Sequence, residues 1–149
     1  MSWADFARAE PELAAEGRRL FYQYGVGLGS LATVGRSGPR LHPICPIVLE
    51  DGLYAFIVES PKQQDLRRDG RYALHAFLPV EVDDEFMVAG TVRPVEDPGV
   101  RGRAVAAYHT PVPDDQHLFE FGVERVLHAK YRFRGEWPPA YRRWRAPSP

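Results

Sequence analysis

The chain has 149 residues, 44% of them hydrophobic, and a formal net charge of −1. That is enough to bury one core and too little for a second full domain, so the expectation is a single domain over residues 1–149. The near-neutral charge gives no electrostatic footprint for a nucleic-acid backbone. No apolar run is long enough to cross a bilayer, and the single Cys45 with a start lacking a basic-then-apolar leader predicts a reducing, cytoplasmic setting.

Residues 2–24 read as helical, with Phe6, Leu13, Leu20, Phe21 and Tyr24 on one side and Ser2 as N-cap. Pro11 suits the first turn of a helix and not its interior, which predicts two short segments meeting near Glu10. The run Gly25-Val26-Gly27-Leu28-Gly29-Ser30 superficially matches a dinucleotide fingerprint. It follows a helix and opens a strand, the reverse of the required context, so its glycines are assigned to tight bending and close passage by the sheet.

Three strand-like stretches follow, 28–34, 40–50 and 53–59. The turns Gly35-Arg36-Ser37-Gly38-Pro39 and Asp51-Gly52 make them an antiparallel meander. In the middle stretch Pro43 and Pro46 each remove a ladder donor, which predicts an edge, a bulge or an end to pairing. A helix is predicted from Pro61 to about Asp69, stopped by Gly70. Strands over 72–78 and 85–95 come next, then a helix opened by Asp97-Pro98 and running to about Tyr108. Residues 109–117 read as a loop, 118–133 as one or two strands around Gly122, and 136–145 as a tail carrying Trp137 and Trp144. This order predicts an α+β class, mainly antiparallel, with a closed or half-closed sheet.

The sharpest chemical feature is Ser60-Pro61-Lys62-Gln63 directly after an apolar strand. The free amides of a helix start, its dipole and Lys62, one of only two lysines among 19 basic residues, all favour a phosphate. The same Ser-x-x-Gln pattern also makes a capping box without any ligand, and both readings stand on the local sequence. His42 and Cys45 are three apart on a strand, which sets them on opposite faces. Neither they nor His75, His109, His117 and His128 have metal-ligand spacing, so no metal site is expected. The run Tyr141-Arg142-Arg143-Trp144-Arg145 can lie as a solvated edge or help close a pocket. No nucleophile triad, paired carboxylates or P-loop is present, so any redox step would fall to a cofactor.

Taken together, these residues resemble the pyridoxamine 5′-phosphate oxidase-like family of FMN-binding split barrels. The resemblance runs through Ser2-Trp3-Ala4-Asp5-Phe6, Leu31-Ala32-Thr33-Val34, Gly38 to Ile44, Asp51-Gly52-Leu53-Tyr54, Ser60 to Asp69, Tyr72-Ala73-Leu74-His75 and Arg142-Arg143-Trp144-Arg145. It implies a split β-barrel with flanking helices and an FMN-dependent oxidoreductase acting on a small-molecule substrate. It further implies a homodimer with each flavin between subunits. By the same resemblance His42, Pro43, Ile44 and Cys45 lie beside the flavin ring, Val58 and Glu59 near the ribityl chain, and Ser60, Lys62 and Gln63 at the phosphate. Trp137, Arg143 and Trp144 of the tail are the residues that would complete a partner's pocket. Vitamin B6 oxidases usually present an Arg-Lys pair at the phosphate helix and a basic residue further along the second strand, where this chain has Pro61-Lys62 and Cys45, which points away from pyridoxamine phosphate. Other members of the fold bind the deazaflavin F420 or haem, or bind a cofactor without turnover, and these are the alternatives.

Overall fold

The computed structural model describes residues 1–148. The two N-terminal helices are α1 (Trp3–Ala9) and α2 (Pro11–Phe21), meeting at Glu10 as the proline predicts. Ser2 and Asp5 form a complete capping box: Ser2 Oγ accepts from the Asp5 amide at 3.1 Å, and Asp5 accepts from the Ser2 amide at 2.9 Å. Trp3 and Phe6 of α1, with Leu13, Leu20 and Phe21 of α2, form a stripe buried in the core.

The strands are β1 (Gly29–Gly35), β2 (Gly38–Ile44), β3 (Ile47–Val48), β4 (Leu53–Val58), β5 (Arg71–Ala76), β6 (Glu85–Val95), β7 (Gln116–Phe121), β8 (Arg125–Lys130) and β9 (Ala140–Arg145). Helix α3 (Pro61–Arg68) lies between β4 and β5, and α4 (Pro98–Ala107) between β6 and β7. All pairings are antiparallel, in the order β2-β1-β5-β6-β7-β4-β3. The two ends of this path, β2 and β3, are joined through only Cys45 and Pro46. The sheet therefore curls until its ends meet, and it stays open where β2 parts from β4.

Register shows why it parts there. Ile47 lies across from Tyr54 and Val48 from Leu53. Continued backwards, that ladder would set Cys45 opposite Phe56 and Pro43 opposite Val58, but Pro46 and Pro43 cannot donate, and pairing stops. The predicted strand over 40–50 is thus two strands broken at Cys45-Pro46. Gly27 abuts this corner: a Cβ there would lie 1.9 Å from the Pro46 carbonyl oxygen.

Strand β6 organises the rest. One edge pairs with β5, and along the other β8 and β7 lie end to end, opposite Glu85–Ala89 and Val92–Val95. The register slips by one residue between them, at Gly122–Glu124, where Gly90 and Gly122 approach too closely for a Cβ. Leu31, Leu53, Ile57, Leu74, Phe86, Val88, Phe119 and Phe121 fill the barrel beneath the N-terminal helices. A smaller cluster of Ile47, Tyr54, Phe56 and Leu118 lies outside it, under Ala104 of α4. Two sequence expectations are corrected: Gln116 and His117 open β7 instead of closing a loop, and residues 140–145 form a strand paired with β8.

No helix among the described residues is long and apolar enough to cross a membrane.

Candidate functional site

Helix α3 begins where β4 leaves the barrel. Ser60, in extended conformation, caps it: its Oγ accepts from the Gln63 amide at 3.4 Å and donates to the Val58 carbonyl at 2.9 Å. The expected reciprocal half of the capping box does not form. Gln63 is buried, donates from Nε2 to the Ile57 carbonyl at 2.8 Å and accepts from Arg67 Nε at 3.2 Å, so its side chain locks α3 to the end of β4. The first turn carries no acidic residue, and Pro61 has no amide proton. Lys62 is half-exposed, and its ammonium makes no hydrogen bond or ion pair with any described residue. The Lys62 amide and the Lys62 ammonium thus form a donor pair suited to an oxyanion, beside a Ser60 hydroxyl whose proton is given to the Val58 carbonyl.

Buried Asp65 fixes this helix start relative to β1 and β2. It accepts from Thr33 Oγ1 at 3.0 Å, Arg40 Nε at 2.9 Å and Arg68 at 3.0 Å. The Arg40 hydrogen bond holds its carboxyl below the usual range despite burial, with Arg68 and Thr33 adding to the effect. One side chain therefore ties α3 to the strand that carries the predicted ring-facing residues.

On β2, Arg40, His42 and Ile44 share the face of Leu31 and Thr33, while Leu41 and Pro43 point to the outer face with Ala32 and Ser30. Cys45 lies past the end of the strand, half-buried. Its neighbour is Tyr108, whose ring stands edge-on to Phe56 at 5.6 Å; burial, with the Cys45 thiol beside it, pushes the Tyr108 hydroxyl up to about 12. Val58 and Glu59 are exposed at the other lip of the opening. Facing them across the β4–β7 ladder are Gln116 and His117, with Arg67 3.4 Å from His117 Nδ1 and Arg101 over the Phe56 ring at 5.2 Å. Sequence reasoning missed Arg67, Arg101, Tyr108 and His117 as neighbours of this opening, because only the β4–β7 register and the docking of α4 bring them there.

The predicted residues fall into two groups. His42 to Cys45 lie at the end of β2, and Val58, Glu59, Ser60, Lys62 and Gln63 at the end of β4 and the start of α3, the two stretches being tied by the Arg40–Asp65 ion pair. The tail residues lie away from them. Trp144 packs on Phe6 of its own chain at 5.0 Å, Arg143 lies over the Tyr141 ring at 4.9 Å, and Trp137 is 77% exposed. Among the described residues no group of three or more His, Cys, Asp or Glu side chains is placed to hold a metal ion.

This is the split-barrel fold of pyridoxamine 5′-phosphate oxidase-like proteins, an α+β architecture around a curled antiparallel sheet. A haem-binding protein from Mycobacterium smegmatis superposes with a TM-score of 0.66 at 18% identity, covering 88% of this chain and 57% of its own. A protein provisionally assigned as a pyridoxamine 5′-phosphate oxidase from Listeria innocua gives 0.62 at 16% identity, covering 77% and 96%. An FAD-binding protein from Mesorhizobium loti gives 0.59 at 18% identity, covering 76% and 91%. The chain therefore spans just over half the length of the haem-binding protein. Neither a family sequence model nor a characterised protein's sequence matches the chain, so the likeness is one of fold.

Proposed function

We propose that the chain binds FMN at the β2–β4 opening and works as a flavin-dependent oxidoreductase on a small-molecule substrate, as a homodimer. The observation that carries this reading is the Lys62 ammonium, without a partner among the described residues, at a helix start held by Ser60, Gln63 and Asp65. Lys62 and its amide would hold the phosphate, joined by Ser60 once its hydroxyl turns from the Val58 carbonyl to the ligand; Val58 and Glu59 would flank the ribityl chain, and His42 to Cys45 would border the ring. When bound, the flavin would supply the hydride transfer that none of the chain's own side chains can perform. The protein's part is to anchor the phosphate, orient the ring along an edge already parted by two prolines and keep that edge rigid through Asp65. The flavin-binding neighbour of the same fold supports a flavin, and the haem-binding neighbour makes haem the second reading.

Titration of the purified protein with FMN, F420 and haem, read by absorbance and fluorescence quenching, tests the proposal. FMN is expected to bind saturably and tightest, and preferred binding of either other cofactor overturns the assignment. Loss of one charge-assisted hydrogen bond of about 1.5–3 kcal/mol implies that Lys62→Ala weakens FMN binding roughly tenfold to a hundredfold with an unchanged melting temperature. Equal loss of melting temperature without cofactor would instead assign Lys62 to the fold.

A further inference from the structure

The outer face of β8 and β9, across the sheet from β2, carries a cation cluster in which the flavin reading gives a role to Arg143, beside Trp144, and none to Arg125 or Arg145. Arg125 stands directly across from Arg145, and Leu127 across from Arg143, so all four side chains leave the same face. Met87, across from Leu127 on β6, extends the apolar floor, and the cleft they line with Val126 and Trp144 encloses about 350 Å³. A second furrow of about 420 Å³ shares Arg125 and Arg145 and runs on to the C-terminal segment.

The charges in this cleft are uncompensated. Every other arginine except Arg36, in the β1–β2 turn, donates to a carboxylate, carbonyl or ring nitrogen of a described residue. Arg125, Arg143 and Arg145 have no such partner among the described residues; Arg143 only lies over the Tyr141 ring. The nearby Glu124 carboxylate already accepts from Thr91 Oγ1 at 2.9 Å. Like charges directly opposite on neighbouring strands are unfavourable, and an anion bridging them reverses the sign of that interaction. Guanidinium groups around an apolar floor suit an oxyanion attached to an apolar body, and the volume is in the range of small-ligand sites.

We propose that this cleft is a binding site for a small organic anion, a carboxylate or phosphate ester carrying an aromatic or aliphatic body. The site is separate from Ser60 and Lys62 and does not depend on flavin binding there. Phenyl phosphate, benzoate and inorganic phosphate, each titrated into the full-length protein by calorimetry and by the arginine Nε–Hε NMR signals, test it. Phenyl phosphate and benzoate are expected to bind saturably and more tightly than inorganic phosphate, shifting the signals of Arg125 and Arg145. Arg125→Gln and Arg145→Gln should each weaken binding about tenfold without lowering the melting temperature, because each removes a like-charge neighbour. Arg36→Gln, which removes the other uncompensated arginine, should leave binding unchanged. Three outcomes overturn the proposal: no saturation at millimolar ligand, equal weakening by Arg36→Gln, or absence of binding together with a change of oligomeric state in Arg125→Gln. The last would assign the arginines to a contact between copies of the chain.

Discussion

His128 shows how one side chain can set a pH limit. It points from β8 into the core beside Phe86, and its Nε2 is buried with no hydrogen-bond partner among the described residues. The charged groups facing it come from three directions: Glu16 on α2, Asp84 before β6, and Lys130 with Arg142 on β8 and β9. Burial dominates and lowers the His128 pKa from its ordinary value of about 6.5. The unfolded chain therefore takes up this proton at a higher pH than the folded chain does. Stability should be complete above about pH 7 and fall as the pH drops through the unfolded value toward the lower folded one. Glu16 and Asp84 are themselves held below the usual carboxylate range, so they titrate outside this window. Urea midpoints of the wild type should thus fall between about pH 7.5 and about pH 5, and His128→Leu should flatten that slope. An unchanged slope in the variant would place the titration elsewhere.

At the scale of elements, the opening between β2 and β4 depends on a corner with no spare room. Gly27 lets the chain pass against the Pro46 carbonyl, where any Cβ would lie within covalent-scale distance of backbone. Gly27→Ala must displace either the approach to β1 or the Cys45-Pro46 corner. The expected cost is about 1–3 kcal/mol, measured by chemical denaturation. Because the corner also sets the gap between the strands, FMN affinity should fall beyond what Lys62→Ala alone produces when the two changes are combined. By contrast, Gly25→Ala strains a positive φ of 86° but meets no neighbour within 4 Å, and it should leave the cofactor site unaffected.

At the scale of the whole molecule, the outer face of β2, β1 and β5 presents Leu41, Ala32 and Ala73, with Leu41 69% exposed. Small side chains next to an exposed leucine suit close approach of a second copy. On the homodimer reading, sedimentation should give a dimer for the wild type and a monomer for Ala73→Arg, with the far-ultraviolet spectrum retained. A dimer unchanged by this substitution would move the interface elsewhere.

Local rules were sufficient for much of this molecule. The Ser2 capping box, the break at Pro11, the glycine turn after β1, the Ser60 cap and the Asp97-Pro98 helix start are all set by backbone geometry and nearby donors, and each was legible in residue order. Pro43 and Pro46 announced that pairing would stop, since a missing amide proton has the same effect in any fold. The order of motifs implied His42 to Cys45 beside a flavin ring and Ser60 and Lys62 at its phosphate, but only tertiary structure committed the Gln63 side chain inward and tied Asp65 to Thr33 and Arg40. The tail was not legible as a strand because Tyr141 to Arg145 is dominated by arginine and gains its order from the β8 edge, a partner set by long-range register. For the same reason the alignment of Arg125 with Arg145 is invisible in sequence: cross-strand neighbours are decided by which residues pair, and that depends on the one-residue slip at Gly122–Glu124 as much as on the residues themselves.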